Sequence, residues 1–447
     1  MSTSGTRTLT YTRDQYIKAA LRKSRIISRF DEPEAEDISE GEEAANLLLG
    51  RLAEPNMPNR KFWLRKTGAL IQDRAKTKYQ IGNSSSDVAV ELDTLVIRDI
   101  ANASSLTANT TTLNVVINEN FTVSHNVAIH YNDTGFLKSS ISDYSSSDNV
   151  LNQPEFSATG NWSLDSGWTI TGGAAVCDGT AAAGASQPTV ITSAVRYAVL
   201  TNVSVYTSGS VYPTLGSHTG SAITSTGWDL QFLTADGTTF SLESDSTNGF
   251  DGSVTECIVM PITGTLSMTL ATPFNRTATS ATEAFFYLTE VTKPVKINTM
   301  SRRDRNGTDE DDSPMERWSE GQYQALNDKD STGDSYAYYY EEKLNHGDLY
   351  VDSQTQDLRD ILVFKYTPQV QYFSSSTDDL DIPDVGREYF VYALAKRLAA
   401  EHGKQWTQEN QDILTEAEIA FLRSDPESEP LFFEPDRVPD SPGGEFL

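Results

Sequence analysis

Apolar positions recur at helical spacing near both ends of the chain and at alternating spacing between them. Thr12-Arg13-Asp14-Gln15 places a hydroxyl at a cap with Gln three residues on, a capping-box pattern. Ile17, Leu21 and Ser24/Arg25 follow at helical spacing, with Ala20 and Ile27 nearby, and Pro33 blocks simple continuation. Ser39-Glu40-Gly41-Glu42 repeats the capping pattern and predicts a helix over 43–52, with Ala44, Leu47, Leu48 and Leu52 on one stripe. Pro55 and Pro58 punctuate its end, and Phe62-Trp63-Leu64 reads as an anchor for the next segment. Toward the other end, Phe390, Leu394 and Leu398 stand four residues apart in a predicted helix over 387–401, kept slim by Ala393, Ala395 and Ala399. Gly403 suits the position after a helix C-terminus. Thr407 can cap a second helix carrying Ile413, Leu414, Ala417 and Phe421, which Asp425-Pro426 stops. Residues 427–447, rich in proline, glycine and acids, predict an extended arm.

Between the ends the period is two. Val127, Ile129 and Tyr131 alternate with Ala128 and His130, Asp133-Thr134-Gly135 suits a hairpin loop, and 136–141 suits the return strand. Leu95 to Ile97 and Val115 to Ile117 are shorter candidates. Across 151–264 the candidates are 168–171, 174–177, 197–206, 211–215, 229–233, 240–242 and 254–261, separated by Gly, Ser, Asn and Asp. Many short strands with frequent turns predict a separate sandwich or jelly roll. Strands resume at 266–270 and 284–288.

A length of 447 residues corresponds to two to four domains at about 150 residues each. Lys and Arg total 35 against 63 Asp and Glu, a net charge of −28. The charge is uneven: net +4 over 1–80, −13 over 81–300 and −19 over 301–447, with Arg196 the only cation in 151–264. So acidic a chain is a poor grip for DNA, whose binding draws on Lys/Arg–phosphate contacts, yet it can line a path that DNA must slide past. A run of 18 apolar residues is absent, and the start lacks an apolar signal core, so a folded protein without a membrane span is expected. Two cysteines, Cys177 and Cys257, exclude a disulfide-dense scaffold or a four-cysteine zinc site. Both lie in strand contexts, which favours buried thiols over a disulfide.

Catalytic signatures are missing. The five histidines form no His-x3-His pair, and Gly-x-Ser-x-Gly, phosphate-loop and dinucleotide patterns are absent. Asp328-Lys329-Asp330-Ser331-Thr332-Gly333 opens like a calcium loop, but its twelfth position is Tyr339 where Glu is needed, so an acidic turn is expected. No catalytic residue, metal ligand or cofactor site is assigned, and an enzyme is not expected. Trp162, Trp168, Tyr206 and Trp228 could stack on sugar rings or fill a sandwich core; the core reading is the stronger. Tyr338-Tyr339-Tyr340 reads as a strand with rings on two faces, for core or interface.

The C-terminal part resembles the head-to-tail adaptors of short-tailed bacteriophages, the tail tubular protein A and head-completion group. The likeness lies in an ordered series: Ser319 to Leu326, Ser331-Thr332-Gly333, Tyr338 to Tyr340, Gly347 to Val351, Leu362 to Tyr366, Asp381-Ile382-Pro383 and Tyr389 to Ala399. Residues 129–135, 139–141 and 267–273 look like the β-domain these adaptors carry, interrupted by 151–264, which is similar to carbohydrate-binding-module-like jelly rolls through Gly167-Trp168-Thr169, 203–211 and Leu215-Gly216. The resemblance implies an α+β multidomain chain: a helical adaptor core over 1–87 and 301–426, a β-domain over 88–150 and 265–300, an inserted all-β jelly-roll or sandwich module over 151–264, and an extended arm over 427–447. It implies a virion protein assembled in the host cytoplasm, in a homo-oligomeric ring of twelve that joins the portal protein to the tail nozzle protein and passes double-stranded DNA without specific binding. Tyr389, Phe390, Leu394 and Leu398 would form the ring-interface helix, and Leu431, Phe432 and Phe433 would anchor the arm in the portal or a neighbouring subunit. The alternative is a carbohydrate-binding or cell-surface adhesion protein, with glycan held on the four rings of the inserted module.

Overall fold

The structure, a computed structural model, describes residues 11–28, 30–52, 65–74, 76–82, 87–102, 105–119, 121–123, 126–130, 136–275, 277, 283–305, 311–369, 371–380 and 384–423. The arm 427–447 with Leu431, Phe432 and Phe433, the Phe62-Trp63-Leu64 anchor, the 133–135 hairpin loop and 381–383 lie outside the described residues.

One expectation is overturned. The chain is not built on a helical adaptor core: among the described residues strands take 41% and helices 19%, in five helices. These are α1 (Arg13–Lys23), α2 (Ala35–Leu52), α3 (Glu320–Gln324), α4 (Asp384–Glu401) and α5 (Gln408–Arg423). Of the stretches assigned to a helical core, 66–81 and 301–366 carry, among their described residues, strands and only the five-residue α3. The reason is periodicity. Lys66–Ile71, Ala337–Glu342 and Ile361–Pro368 send successive side chains to opposite faces, and both faces are occupied.

The chain divides into two compact units, residues 1–65 with 367–447, and residues 66–366. In the first, α1, α2, α4 and α5 close around one core that includes Tyr16, Ile17, Leu21, Leu49, Phe390, Leu394, Leu398 and Phe421. The Thr12 cap forms as its sequence predicts, with Gln15 returning the bond. The second capping pattern does not act as one: α2 starts at Ala35, so Ser39 is interior. Asp37 accepts the Glu34 amide at 3.0 Å, which secures the helix a turn earlier. Gly41 is instead where α1 approaches, since a Cβ there would stand 2.3 Å from Ile17 Cγ2. Asn46 pins the segment at Phe373, donating to its carbonyl at 3.1 Å and accepting from its amide at 2.9 Å. Thr407 caps α5 through the Asn410 amide, and Gly403 takes a positive φ after α4.

The second unit is a stack of sheets. A four-stranded sheet (Lys78–Ile81, Gly347–Val351, Ala337–Glu342, Glu316–Arg317) faces a five-stranded one (Asp311–Pro314, Pro294–Asp304, Ile361–Pro368, Lys66–Ile71, Ala89–Glu91) across Leu70, Tyr338, Tyr340, Leu362 and Phe364. The other face of the five-stranded sheet, with Ala69, Ile71, Ile361 and Val363, packs on Ala128, Phe285 and Tyr287 of a six-stranded sheet. That sheet, hereafter the host, runs Val96–Asp99, Glu283–Tyr287, Asn126–His130, Phe136–Ser145, Thr265–Leu270, Thr112–Val116. It curls until its two edges meet at an isolated Ile100–Val115 bridge.

Residues 146–264 leave the host between two neighbouring strands, Phe136–Ser145 and Thr265–Leu270, which still pair with each other. This insert is a sandwich of two five-stranded sheets. The inner sheet runs Gly227–Thr234, Arg196–Gly209, Phe250–Pro261, Ala174–Asp178, Trp168–Thr171. The outer sheet runs His218–Thr219, Val211–Leu215, Phe240–Ser244, Gly184–Gln187, Ser163–Leu164. Phe156, Trp162, Trp168, Val199, Phe240 and Val259 belong to the core between them. The inner sheet's other face is also covered. Ala198, Leu200, Ile258 and Met260 share one apolar core with Val127, Tyr144, Leu266, Met268 and Phe286 of the host.

Candidate binding surfaces

Tyr389, Phe390, Leu394 and Leu398 point into the core of the helical unit and are all buried. Tyr389 stacks on Phe421 with centroids 5.5 Å apart, and Phe390 meets Tyr16 edge-on at 5.8 Å. Each such burial stabilises the unit by about 1.5–3 kcal/mol, so this stripe holds the helices together and is closed to a neighbouring copy. The surface of the helical unit offers other apolar groups, Leu47 and Ile419. Leu47 lines a cleft of about 370 Å³ with Ala44, Glu40, Glu43, Glu401 and His402, across which His402 Nε2 lies 3.2 Å from Glu40 Oε2.

The four rings considered for glycan stacking are engaged within the protein. Trp162 is buried against Phe156 and donates its Nε1 hydrogen to the Gln153 carbonyl at 3.2 Å. Trp168 is buried in parallel contact with Phe250. Trp228 meets Tyr144 of the host edge-on at 5.4 Å. Tyr206 is half-buried, and its hydroxyl donates to the Gly209 carbonyl at 3.0 Å. A sugar ring needs an open aromatic face, and the two buried tryptophans present none. Cys177 and Cys257 are both buried free thiols, and burial raises the pKa of each.

A tyrosine group that the sequence showed only in part lies on the outer face of the four-stranded sheet. Tyr338 and Tyr340 turn inward, while Tyr339 turns out and stacks on Tyr350 at 5.6 Å. Tyr323 of α3 completes the group, 5.0 Å from Tyr350. Lys329 and Lys78 sit over the Tyr323 and Tyr350 rings at 5.0 and 5.2 Å, so the cluster is capped by its own cations. A hydrogen bond to Asp348, at 2.9 Å, raises the Lys78 pKa. Tyr350 follows the two-residue alternation of Gly347–Val351, which is the signal that could have joined it to Tyr339.

Two ionisable groups of the host and its seam with the insert are perturbed. His130 is buried between Phe136 and Phe285, with Nε2 2.8 Å from the Gln72 carbonyl, and desolvation lowers its pKa to about 4. Glu256, on the inner sheet, is raised to about 7, first by burial and then by Asp143 and Glu155. Among the described residues no cluster of three or more His, Cys, Asp or Glu can hold a metal ion, and no helix is long and apolar enough to cross a membrane.

No family model and no curated protein matches the chain. Among solved structures, a GH31 alpha-xylosidase from Xanthomonas citri aligns with 51% of this chain and 26% of its own, at 6% identity and a TM-score of 0.16. The aligned part spans about a quarter of that enzyme, and a likeness this slight carries no argument about fold or activity.

Proposed function

We propose that this chain is a virion structural protein, a head-to-tail adaptor that assembles as a ring, binds the portal protein on one side and the tail nozzle protein on the other, and lets DNA pass. The observation that carries the reading is the ordered series from Ser319 to Ala399. Its pieces fall on consecutive elements: the Ser319–Gln322 capping box of α3, the paired strands Ala337–Glu342 and Gly347–Val351, the strand Ile361–Pro368, and α4. The net charge of −28 supports the DNA-passing role, because like charge favours sliding over sticking. The ring contacts in this reading fall on surface groups such as Leu47 and Ile419, because the buried stripe of α4 is already used.

The test is the mass and shape of the purified full chain, alone and with the portal protein, by native mass spectrometry and electron microscopy. A closed ring of twelve that attaches to the portal is the expected result. A chain that stays monomeric at all concentrations and ignores the portal overturns the reading.

A further inference from the structure

A cleft of about 460 Å³ opens beside the host sheet, with three arginines, Arg98, Arg303 and Arg305, over an apolar wall that includes Leu95, Ile97 and Ile361. Two of the three guanidinium groups carry their own carboxylate. Arg303 grips Asp312 with Nε at 2.7 Å and Nη2 at 3.0 Å. Arg305 grips Glu283 with Nη1 at 3.0 Å and Nη2 at 3.4 Å. Both are the two-pronged pairing that the guanidinium fork favours.

Arg98 differs. It makes no ion pair among the described residues. Its Nη1 donates to the neighbouring Ile97 carbonyl at 2.6 Å, and its Nη2 donates to Asn118 Oδ1. Its Nε is buried and has no hydrogen-bond partner. Asp99, the next residue of the strand, is exposed; its charge acts on Arg98, but the two form no ion pair. Arg98 is half-buried, and desolvation lowers its pKa. A partly desolvated cation with an idle buried donor is costly to leave unanswered. The chain has nearly twice as many acids as bases, so an arginine without a carboxylate is not explained by a shortage of them.

We propose that the cleft around Arg98 is a binding site for a carboxylate carried on an apolar stem, the carboxylate meeting the guanidinium and the stem lying on Leu95, Ile97 and Ile361. The carboxylate comes from a free organic acid or from an acidic side chain of a second copy of the chain. The inference is independent of the adaptor reading.

The test uses the full chain and two probes of equal apolar length, hexanoate and hexanol, titrated by calorimetry. Hexanoate is expected to bind at least about tenfold more tightly than hexanol, as a half-buried charge-assisted pair requires. Arg98→Leu should remove that preference and leave hexanol binding unchanged, with Arg98→Lys as a second variant that keeps the charge and loses the fork. Equal binding of the two probes by the native chain overturns the proposal without need of any variant. So does full retention of the preference in a folded Arg98→Leu chain. Sedimentation with saturating hexanoate separates the sources: release of a self-associated chain assigns the carboxylate to a second copy, and an unchanged mass assigns it to a free acid.

Discussion

The two sheets of the insert have the same strand number and share one core, yet they are built differently. In the outer sheet, Phe240 and Leu242 point into the sandwich, while Ser241 and Glu243 point away. Such alternation marks a sheet with one apolar face. In the inner sheet the apolar run is nearly continuous. Tyr197 and Val199 serve the sandwich core, while Ala198 and Leu200 serve the host. Cys257 and Val259 divide from Ile258 and Met260 in the same way. The difference teaches that this insert is a layer of the β unit and not a decoration hung from a loop. An insertion in a surface loop costs little in chain entropy, but this one has replaced solvent on an apolar face of its host.

The strongest way to break the comparison is to remove one partner. Deleting 151–264 and bridging with a short Gly/Ser loop uncovers Tyr144, Leu266 and Met268 together with their neighbours in the shared core. With the seam visible, the expected product is insoluble, or binds a hydrophobic dye and melts far below the native chain. A soluble deletion variant with native melting would show that the seam contributes little.

A point charge on each sheet sharpens the contrast. Leu200→Lys places an ammonium in the seam and should cost about 3–5 kcal/mol, the range for a buried charge without a partner. Glu243→Lys, on the outward face of the outer sheet, should stay within about 0.5 kcal/mol. Chemical denaturation of both variants measures the difference. If Leu200→Lys is as mild as Glu243→Lys, the inner sheet faces water and the layered description fails.

How much of this was legible in the chain depends on which signal each element sends. The helices announced themselves through local chemistry: Thr12 with Gln15, Gly403, and Thr407 all act near the backbone that they cap. Ser39 misled because its hydroxyl and Glu42 fit a cap equally well inside a helix already secured by Asp37. Strand positions were legible from alternation, but the short strands Ser163–Leu164, Gly184–Gln187 and His218–Thr219 were too brief to show a period. The apolar runs at 197–200 and 257–260 did carry the seam. A run on both faces signals burial on both faces, which is incompatible with a freely exposed module. The stripe of α4 and the tryptophans of the insert misled in one shared way. Periodicity shows that a face is buried, not whether its partner belongs to the same chain. Arg98 sent no sequence signal at all, because its lack of a carboxylate is a property of three-dimensional neighbours.

The subtlest test lies at the rim of the seam, where the inner sheet offers a charge to the host. Glu256 stands opposite Asn202 on the same strand as Ile258 and Met260. Its carboxyl titrates near 7 against an ordinary value of 4.5, because burial and then Asp143 and Glu155 disfavour its ionised form. The folded protein therefore holds this proton more tightly than the unfolded chain does. Stability from this group is fully present below 4.5 and is lost as the pH rises toward 7, with no further change above. His130 works in the opposite sense. Its folded value near 4 lies below the ordinary 6.5, so its contribution is present above 6.5 and is lost as the pH falls through 4. The two slopes oppose each other over much of the same window, and a stability curve of the native chain alone would mix them. The difference between the native chain and Glu256→Gln isolates the seam, because His130 and all other groups cancel. Glu256 is only half-buried, so solvent screening reduces the effect to about 1 kcal/mol. Glu256→Gln should match the native chain near pH 4.5 and exceed its stability by that amount at pH 8, measured by denaturant unfolding at each pH. A difference that stays constant from pH 4 to 8 would mean that Glu256 is free of the host carboxylate, and that the seam ends short of the inner sheet's rim.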